Sequence, residues 1–293
     1  TLDIQTAFFL NRMKGNIIQA SVLYPSYFST GYPNSSFIPY INYNNDDRVG
    51  IDFDVTYKNK VGNIDFAIGV AGIYYDTEAA RRAEMFENDY QYREGTPLDG
   101  MWGLRSNGLF ANEEEIANAP SQEALGDVTP GDIRYIDQNG DGIINDQDQV
   151  YLGKAGWNGA PFSAGLHVSA TWKNFNFFAL ATGQAGAQAM KDNSYFWIDG
   201  EDKYSITVRD RWTPETANTA TFPRLTTQNA SNNYRASDYW LYSTDRIDLA
   251  KVQLSYDLPS SILGDGLFKN FNIYISGANL LTISSEPELM ELN

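Results

Sequence analysis

The chain has 293 residues, a formal net charge of −16, 42% hydrophobic residues and an aromatic set of 19 Tyr, 16 Phe and 6 Trp. It has no Cys and a single His, which excludes a disulfide framework or thiolate zinc site and leaves no basis for His-centred metal or triad chemistry. The acidity argues against nucleic acid and anionic headgroups as partners and fits cation binding.

No run of about 18 apolar residues could form a membrane-crossing helix. Barrel strands escape that test, because they alternate lipid-facing and lumen-facing residues. The chain begins at Thr1 without an initiator Met or a signal-like segment, which suggests a mature or truncated piece.

In chain order, Leu2–Leu10 and Ile17–Tyr24 read as a weak strand pair around a turn at Asn11–Gly15. Val49–Lys58 alternates clearly, with Val49, Ile51, Phe53, Val55 and Tyr57 on one face and Asp52, Asp54 and Thr56 on the other. Its partner Ile64–Tyr75 alternates in the same way, and the short turn Asn59–Asn63 between them is a hairpin signature. A very long connection, residues 76–162, follows. Within it, Asn112-Glu-Glu-Glu115 before Ile116 reads as a capping box for a short helix that ends at Pro120.

The same connection carries the most specific motif. Residues 137–148 match the spacing of an EF-hand calcium loop. Asp137, Asn139 and Asp141 supply side-chain oxygens at loop positions one, three and five, and Gly142 permits the sharp turn. Ile143 offers its backbone carbonyl at position seven, Asn145 stands at nine, and Asp148 closes the loop at twelve where Glu is usual. The expected cofactor is a structural Ca²⁺ that stiffens the loop; the alternative is a metal-free Asn/Gly/Asp turn.

Gly165–Trp172 then alternates, with His167, Ser169 and Thr171 opposite Leu166, Val168, Ala170 and Trp172. His167 reads as a polar lining residue. The two-residue link Lys173-Asn174 leads into Phe175–Gln184. In the long stretch beyond, Arg211-Trp-Thr-Pro-Glu215 and Phe222-Pro-Arg-Leu225 suit either a binding role or self-packing. Ile247 and Leu249 begin the next strand, and a phase slip to Val252, Leu254, Tyr256 and Leu258 marks a β-bulge near Ala250-Lys251. Phe271–Leu281 is the last strand.

Connections alternate short and long along the chain, and Tyr57, Trp172, Phe175 and Tyr256 gather near the short ones. That is the sidedness of an outer-membrane barrel, with short periplasmic turns, long extracellular loops and an interfacial aromatic girdle. A single strand would suit a soluble sandwich equally well; the ordered alternation favours the barrel. The expected fold is all-β: a transmembrane antiparallel β-barrel segment of about eight strands. Because open sheet edges do not occur in lipid, it either closes as a small eight-stranded barrel or is part of a larger one, and the very long connection favours the larger.

Several strings follow one another in a specific order: Arg93-Glu-Gly-Thr-Pro97, Gly108-Leu-Phe110 with Glu113-Glu-Glu-Ile116, and Pro130-Gly-Asp-Ile-Arg-Tyr135 before the calcium-type loop. Asp210-Arg-Trp-Thr-Pro214, Phe222-Pro-Arg-Leu225, Asp238-Tyr-Trp-Leu241, Val252-Gln-Leu-Ser-Tyr-Asp-Leu-Pro259 and Ile275-Ser-Gly-Ala-Asn-Leu-Leu281 come after them. Over nearly the whole chain this resembles the C-terminal part of SusC/RagA-type TonB-dependent outer-membrane transporters.

The resemblance implies a 22-stranded barrel, integral to the outer membrane of a Gram-negative bacterium. It implies import of glycans or peptides with a SusD-like surface lipoprotein, energised by TonB, ExbB and ExbD. Residues 1–293 would then be the C-terminal portion of one barrel domain. The plug, the first half of the barrel and a closing strand after Asn293 would lie outside it. Two other readings stand beside import: a SusC-like scaffold subunit that no longer transports, and a secreted calcium-stabilised β adhesin. Enzymatic activity is not expected, since no nucleophile–base or paired-carboxylate constellation emerges.

Overall fold

The computed structural model describes the chain except residues 29–36, 158, 199, 201–202, 228–229, 260–261, 263–269 and 287–293. Seven of the described strands form one antiparallel sheet: β1 (Leu2–Gln19), β2 (Tyr40–Val61), β3 (Ile64–Arg81), β4 (Phe162–Trp172), β5 (Phe175–Ala185), β6 (Arg246–Asp257) and β7 (Asn272–Ser284). Each pairs with its neighbours in sequence, and the sheet stays open at β1 and β7.

The expected pair at the front is one strand. β1 runs against β2 from Leu2 opposite Tyr57 to Gln19 opposite Tyr40, with register shifts between Met13 and Asn16 and between Asn16 and Ile17. Gly15 adopts φ +70° there, and its N–H donates to the Asn45 side chain at 2.9 Å. The residues that look like a turn therefore dent the strand without reversing it. The alternation of connections survives this correction. The turns 62–63 and 173–174 lie at one end of the sheet, and the connections 20–39, 82–161 and 186–245 at the other. The long connection expected over 76–162 begins only after Arg81, because β3 extends to 18 residues. The slip in β6 is a bulge, with register shifts between Leu249 and Lys251 against both β5 and β7.

Register converts each strand's alternation into two continuous faces. Leu2, Tyr57, Ile68, Val168, Ala179, Val252 and Gly277 form one row across all seven strands. Ile4, Val55, Val70, Leu166, Ala181, Leu249 and Leu281 form the next. Ile4, Phe8 and Ile275 on this face are 62%, 72% and 74% exposed, far more apolar area than a sheet in water leaves bare. The opposite face carries Asp54, Thr56, Ser169, Gln253 and Ser255. His167 also lies on it, across Gly69, where any Cβ would collide with its ring. Near the short turns, the Trp172 and Phe175 rings stack at 6.2 Å and Phe175 meets Tyr256 at 4.7 Å. Among the described residues, no helix is long and apolar enough to cross a membrane.

The buried core lies in the loops. Leu104, Leu125, Ile133, Tyr135 and Ile144 from connection 82–161 pack with Phe196, Ile198, Phe222 and Trp240 from connection 186–245. Short pairings frame this core: Gly100–Gly103 with Val150–Lys154, Ser106–Leu109 with Ile133–Tyr135, and Gln188–Met190 with Leu241–Ser243.

Side-chain amides from both loops complete the backbone around Ile133 and Tyr135. Ile133 N–H donates to Asn233 Oδ1 at 2.8 Å, and the Ile133 carbonyl accepts from Gln122 and Asn232. Tyr135 N–H donates to Gln122 Oε1 at 2.7 Å, and the Tyr135 hydroxyl to the Asn232 carbonyl at 2.7 Å. A buried strand whose second edge finds no sheet neighbour needs partners of this kind. Asp132, 1% exposed, accepts from Asn233 Nδ2 at 2.7 Å and stands 2.7 Å from Arg224 Nε. Phe222-Pro-Arg-Leu225 is thus used in self-packing. Trp212 likewise lies against Gly131, and its backbone N–H donates to the Phe222 carbonyl.

Two outcomes follow for a full-length protein that contains this chain. Val168→Lys puts a charge on the apolar face and should destabilise the barrel by about 2–4 kcal/mol, whereas Ser169→Lys on the polar face should be near neutral. Urea unfolding read by heat-modifiable gel mobility checks the contrast, and equal effects would contradict the facing. Asp132→Ala strands Arg224 and Asn233, and should cost the loop unit about 3–5 kcal/mol. Limited proteolysis should then cut both 82–161 and 186–245 while the sheet stays intact.

Candidate functional site

The calcium-type loop is suspended between the loop core and an outlying arm. Ile144 is fully buried in the core, and its N–H donates to the Ser121 carbonyl at 2.7 Å while Ser121 N–H donates to the Gly142 carbonyl at 2.9 Å. Asp148, also fully buried, accepts from Gln138 N–H and Asn145 N–H, both at 2.8 Å, and so ties the end of the loop to its start. From the other side, Tyr90 donates its hydroxyl to the Gln147 carbonyl at 2.7 Å, and Gln147 Nε2 donates to Glu87 at 3.1 Å. Ser121, Tyr90 and Glu87 lie far from the motif in sequence, and nothing in the chain pattern marks them as its supports.

Within the loop, successive side-chain oxygens turn back onto the backbone. Asp137 accepts from Gly140 N–H at 2.6 Å and Gly142 N–H at 2.8 Å, Asn139 from Asp141 N–H at 3.0 Å, and Asp141 from Ile143 N–H at 2.8 Å. Asn145 accepts from Gln147 N–H at 2.7 Å. Gly140 and Gly142 take φ of +76° and +86°, which the reversals require. Each carboxylate oxygen has two lone pairs, so one N–H leaves the second available.

The donor set is oxygen throughout, the chemistry a hard cation needs. The three carboxylates do not close on one point by themselves; among the described residues no group of three His, Cys, Asp or Glu side chains does. A bound cation would have to draw on Asn139, Asn145 and the Ile143 carbonyl as well. It would also have to take Asp141 Oδ2 from the Asn139 amide, which now donates to it at 3.0 Å. The carboxylates do act together electrostatically. Burial first, and then Asp148, Asp137 and Asp141, raise the Tyr90 phenol above its ordinary pKa.

The other site expectation is a cap. Asn112 accepts from Glu115 N–H at 2.9 Å, and Glu115 accepts from Ala111 N–H at 3.0 Å, at the start of helix α1 (Glu113–Ala117). The carboxylate run there satisfies a helix N-terminus.

No protein-family profile matches the chain. TonB-dependent receptor P26 of Formosa agariphila is 30% identical over 187 residues, which is 61% of this chain and 18% of the receptor. TonB-dependent receptor P3 of the same organism is 25% identical over 197 residues, 67% of this chain and 18% of the receptor. The chain thus spans about a fifth of the length of the curated relatives it matches. In three dimensions it is similar to the RagAB peptide importer. The open-open and closed-closed states each give a TM-score of 0.69 at 14% and 15% identity. Those alignments cover 97% of this chain and 29% and 30% of the matched chains. The proteins it resembles are receptors and transporters rather than enzymes. The open, outward-apolar sheet thus has the fold of part of a RagA-like barrel, and the sequence is similar to that of TonB-dependent receptors.

Proposed function

We propose that this segment forms part of the wall and the extracellular mouth of a transporter that imports glycans or peptides across the outer membrane of a Gram-negative bacterium. A SusD-like lipoprotein would close over the mouth, and TonB with ExbB and ExbD would supply energy through parts of the receptor beyond this chain. The observation that carries the reading is the sheet itself: one apolar face runs over seven strands, and the three longest connections stand at one end. The polar face then lines a passage, and the co-folded loops sit where a substrate enters. The RagAB likeness favours peptide over glycan.

Deleting the full-length receptor in its host should abolish growth on the cognate oligomer. Removing only its TonB-contacting segment should do the same while leaving surface expression intact. Growth unchanged by either deletion would favour the scaffold reading. Recovery of the receptor from the medium without detergent would favour the adhesin.

Calcium at residues 137–148 belongs to the same proposal. Bound by Asp137, Asn139, Asp141, the Ile143 carbonyl, Asn145 and Asp148, it would offset carboxylate repulsion and hold the arm around Tyr90 to the core. Its role is structural. Chelation with EDTA should raise protease sensitivity across residues 132–153 without unfolding the barrel, and Asp141→Ala should lower metal content measured by mass spectrometry. Cleavage and metal content unaltered by both would leave a plain turn.

A further inference from the structure

Between the arm that follows β3 and the close of the calcium-type loop lies a hollow of about 360 Å³. Met85, Phe86 and Trp102 form its apolar side, and Met85 is 76% exposed there. Each ring is held by another: Phe86 meets Tyr92 edge to face at 5.5 Å, and Trp102 meets Tyr151 at 6.0 Å. Glu87 and Asp146 stand on the polar side, and amides set both carboxylates in place. Gln147 Nε2 donates to Glu87 Oε2 at 3.1 Å, and Gln149 Nε2 to Asp146 Oδ1 at 2.9 Å. Gln91 Nε2 donates to the Asp146 carbonyl at 3.3 Å. Glu87 Oε1 and Asp146 Oδ2 keep no donor among the described residues, and no Lys or Arg described pairs with either carboxylate. Arg93, also in the lining, lies over the Trp102 ring at 5.8 Å instead.

We infer that this hollow takes a cationic side chain, lysine or arginine, of a peptide substrate. The charge would lie between Glu87 and Asp146 and the aliphatic stem along Met85 and Phe86. The inference rests on the transporter reading and names the kind of peptide that the mouth selects. Two carboxylates against one guanidinium leave the hollow negative, and the whole chain carries −16, so a ligand cation is drawn in where a ligand carboxylate is repelled. An ionised oxygen without a donor accepts a charged N–H more strongly than a neutral one. The amides already hold both carboxylates, so little side-chain freedom is lost on binding. A long cationic side chain lays its methylenes on apolar surface while its head stays among polar groups, and the Phe86 ring also attracts the charge. Met85, soft and unbranched, adapts to stems of different length. A neutral sugar is served less well, because the Trp102 ring it would lie on is taken up by Arg93 and Tyr151.

The test uses the full-length protein immobilised in detergent and two pools of random-sequence synthetic peptides that differ at one position. One pool carries Lys there and the other norleucine, which keeps the stem and lacks the ammonium; mass spectrometry reads what is retained. The lysine pool should be retained about tenfold over the norleucine pool. Glu87→Gln combined with Asp146→Asn keeps the oxygens that accept from Gln147 and Gln149 but removes both charges. That variant should erase the difference and leave retention of the norleucine pool unchanged, which also reports that the loops remain folded. Glu123→Gln, an acidic position outside the hollow, should leave the preference intact. Equal retention of the two pools by the unaltered protein, or a preference that survives the double substitution, overturns the hollow while leaving peptide import. A protein that retains neither pool, whether or not it takes a neutral oligosaccharide such as maltohexaose, overturns the peptide reading itself.

Discussion

Backbone hydrogen bonding within lipid is the constraint from which the rest of this structure follows. A bilayer interior supplies no partner for an N–H or C=O, so a chain that crosses it as strands must pair every strand with a neighbour. β1 to β7 do this as an up-and-down run in which each strand sits beside the next in sequence. Because that ladder satisfies the backbone, the side chains are free to sort by solvent. The apolar rows face outward to lipid and the polar rows inward, the reverse of a soluble sheet.

That inversion displaces the hydrophobic core. A single sheet with lipid against its apolar face has no interior of its own. Apolar residues that need burial from water gather instead in the two longest connections, around Ile133, Tyr135, Ile144, Phe222 and Trp240. Loops that long would normally cost too much conformational entropy to hold one arrangement. Here each supplies what the other lacks. Gln122, Asn232 and Asn233 stand in for a missing β-neighbour, and the Asp132–Arg224 ion pair closes the contact. The two connections consequently behave as one unit at one end of the sheet, and the calcium-type loop inherits its position from that unit through Ile144 and Ser121.

The hollow beside the calcium-type loop is a product of the same unit. The arm after β3 reaches the loop through Tyr90 and Gln147, and Trp102, from the strand paired with Val150–Lys154, walls the gap between them. Its two carboxylates stay without a cation because Arg93 lies on an aromatic ring.

Period-two alternation, the tight turns at 62–63 and 173–174, the bulge beyond Leu249 and the Asn112 cap were all legible in the sequence. Each is decided by residues within a few positions of one another, where backbone geometry and side-chain type act directly. The front of the chain misled for the same reason: Asn11–Gly15 has the local chemistry of a turn, and only pairing with β2, about 30 residues away, made it a bulge. Tertiary structure alone decided the rest. The union of the two long loops joins Gln122 to Asn232 and Asp132 to Asn233 across about a hundred residues, and the hollow brings together side chains of Glu87, Trp102 and Asp146. No period or spacing encodes such meetings, because they depend on which surfaces remain unburied after every strand has found its neighbour.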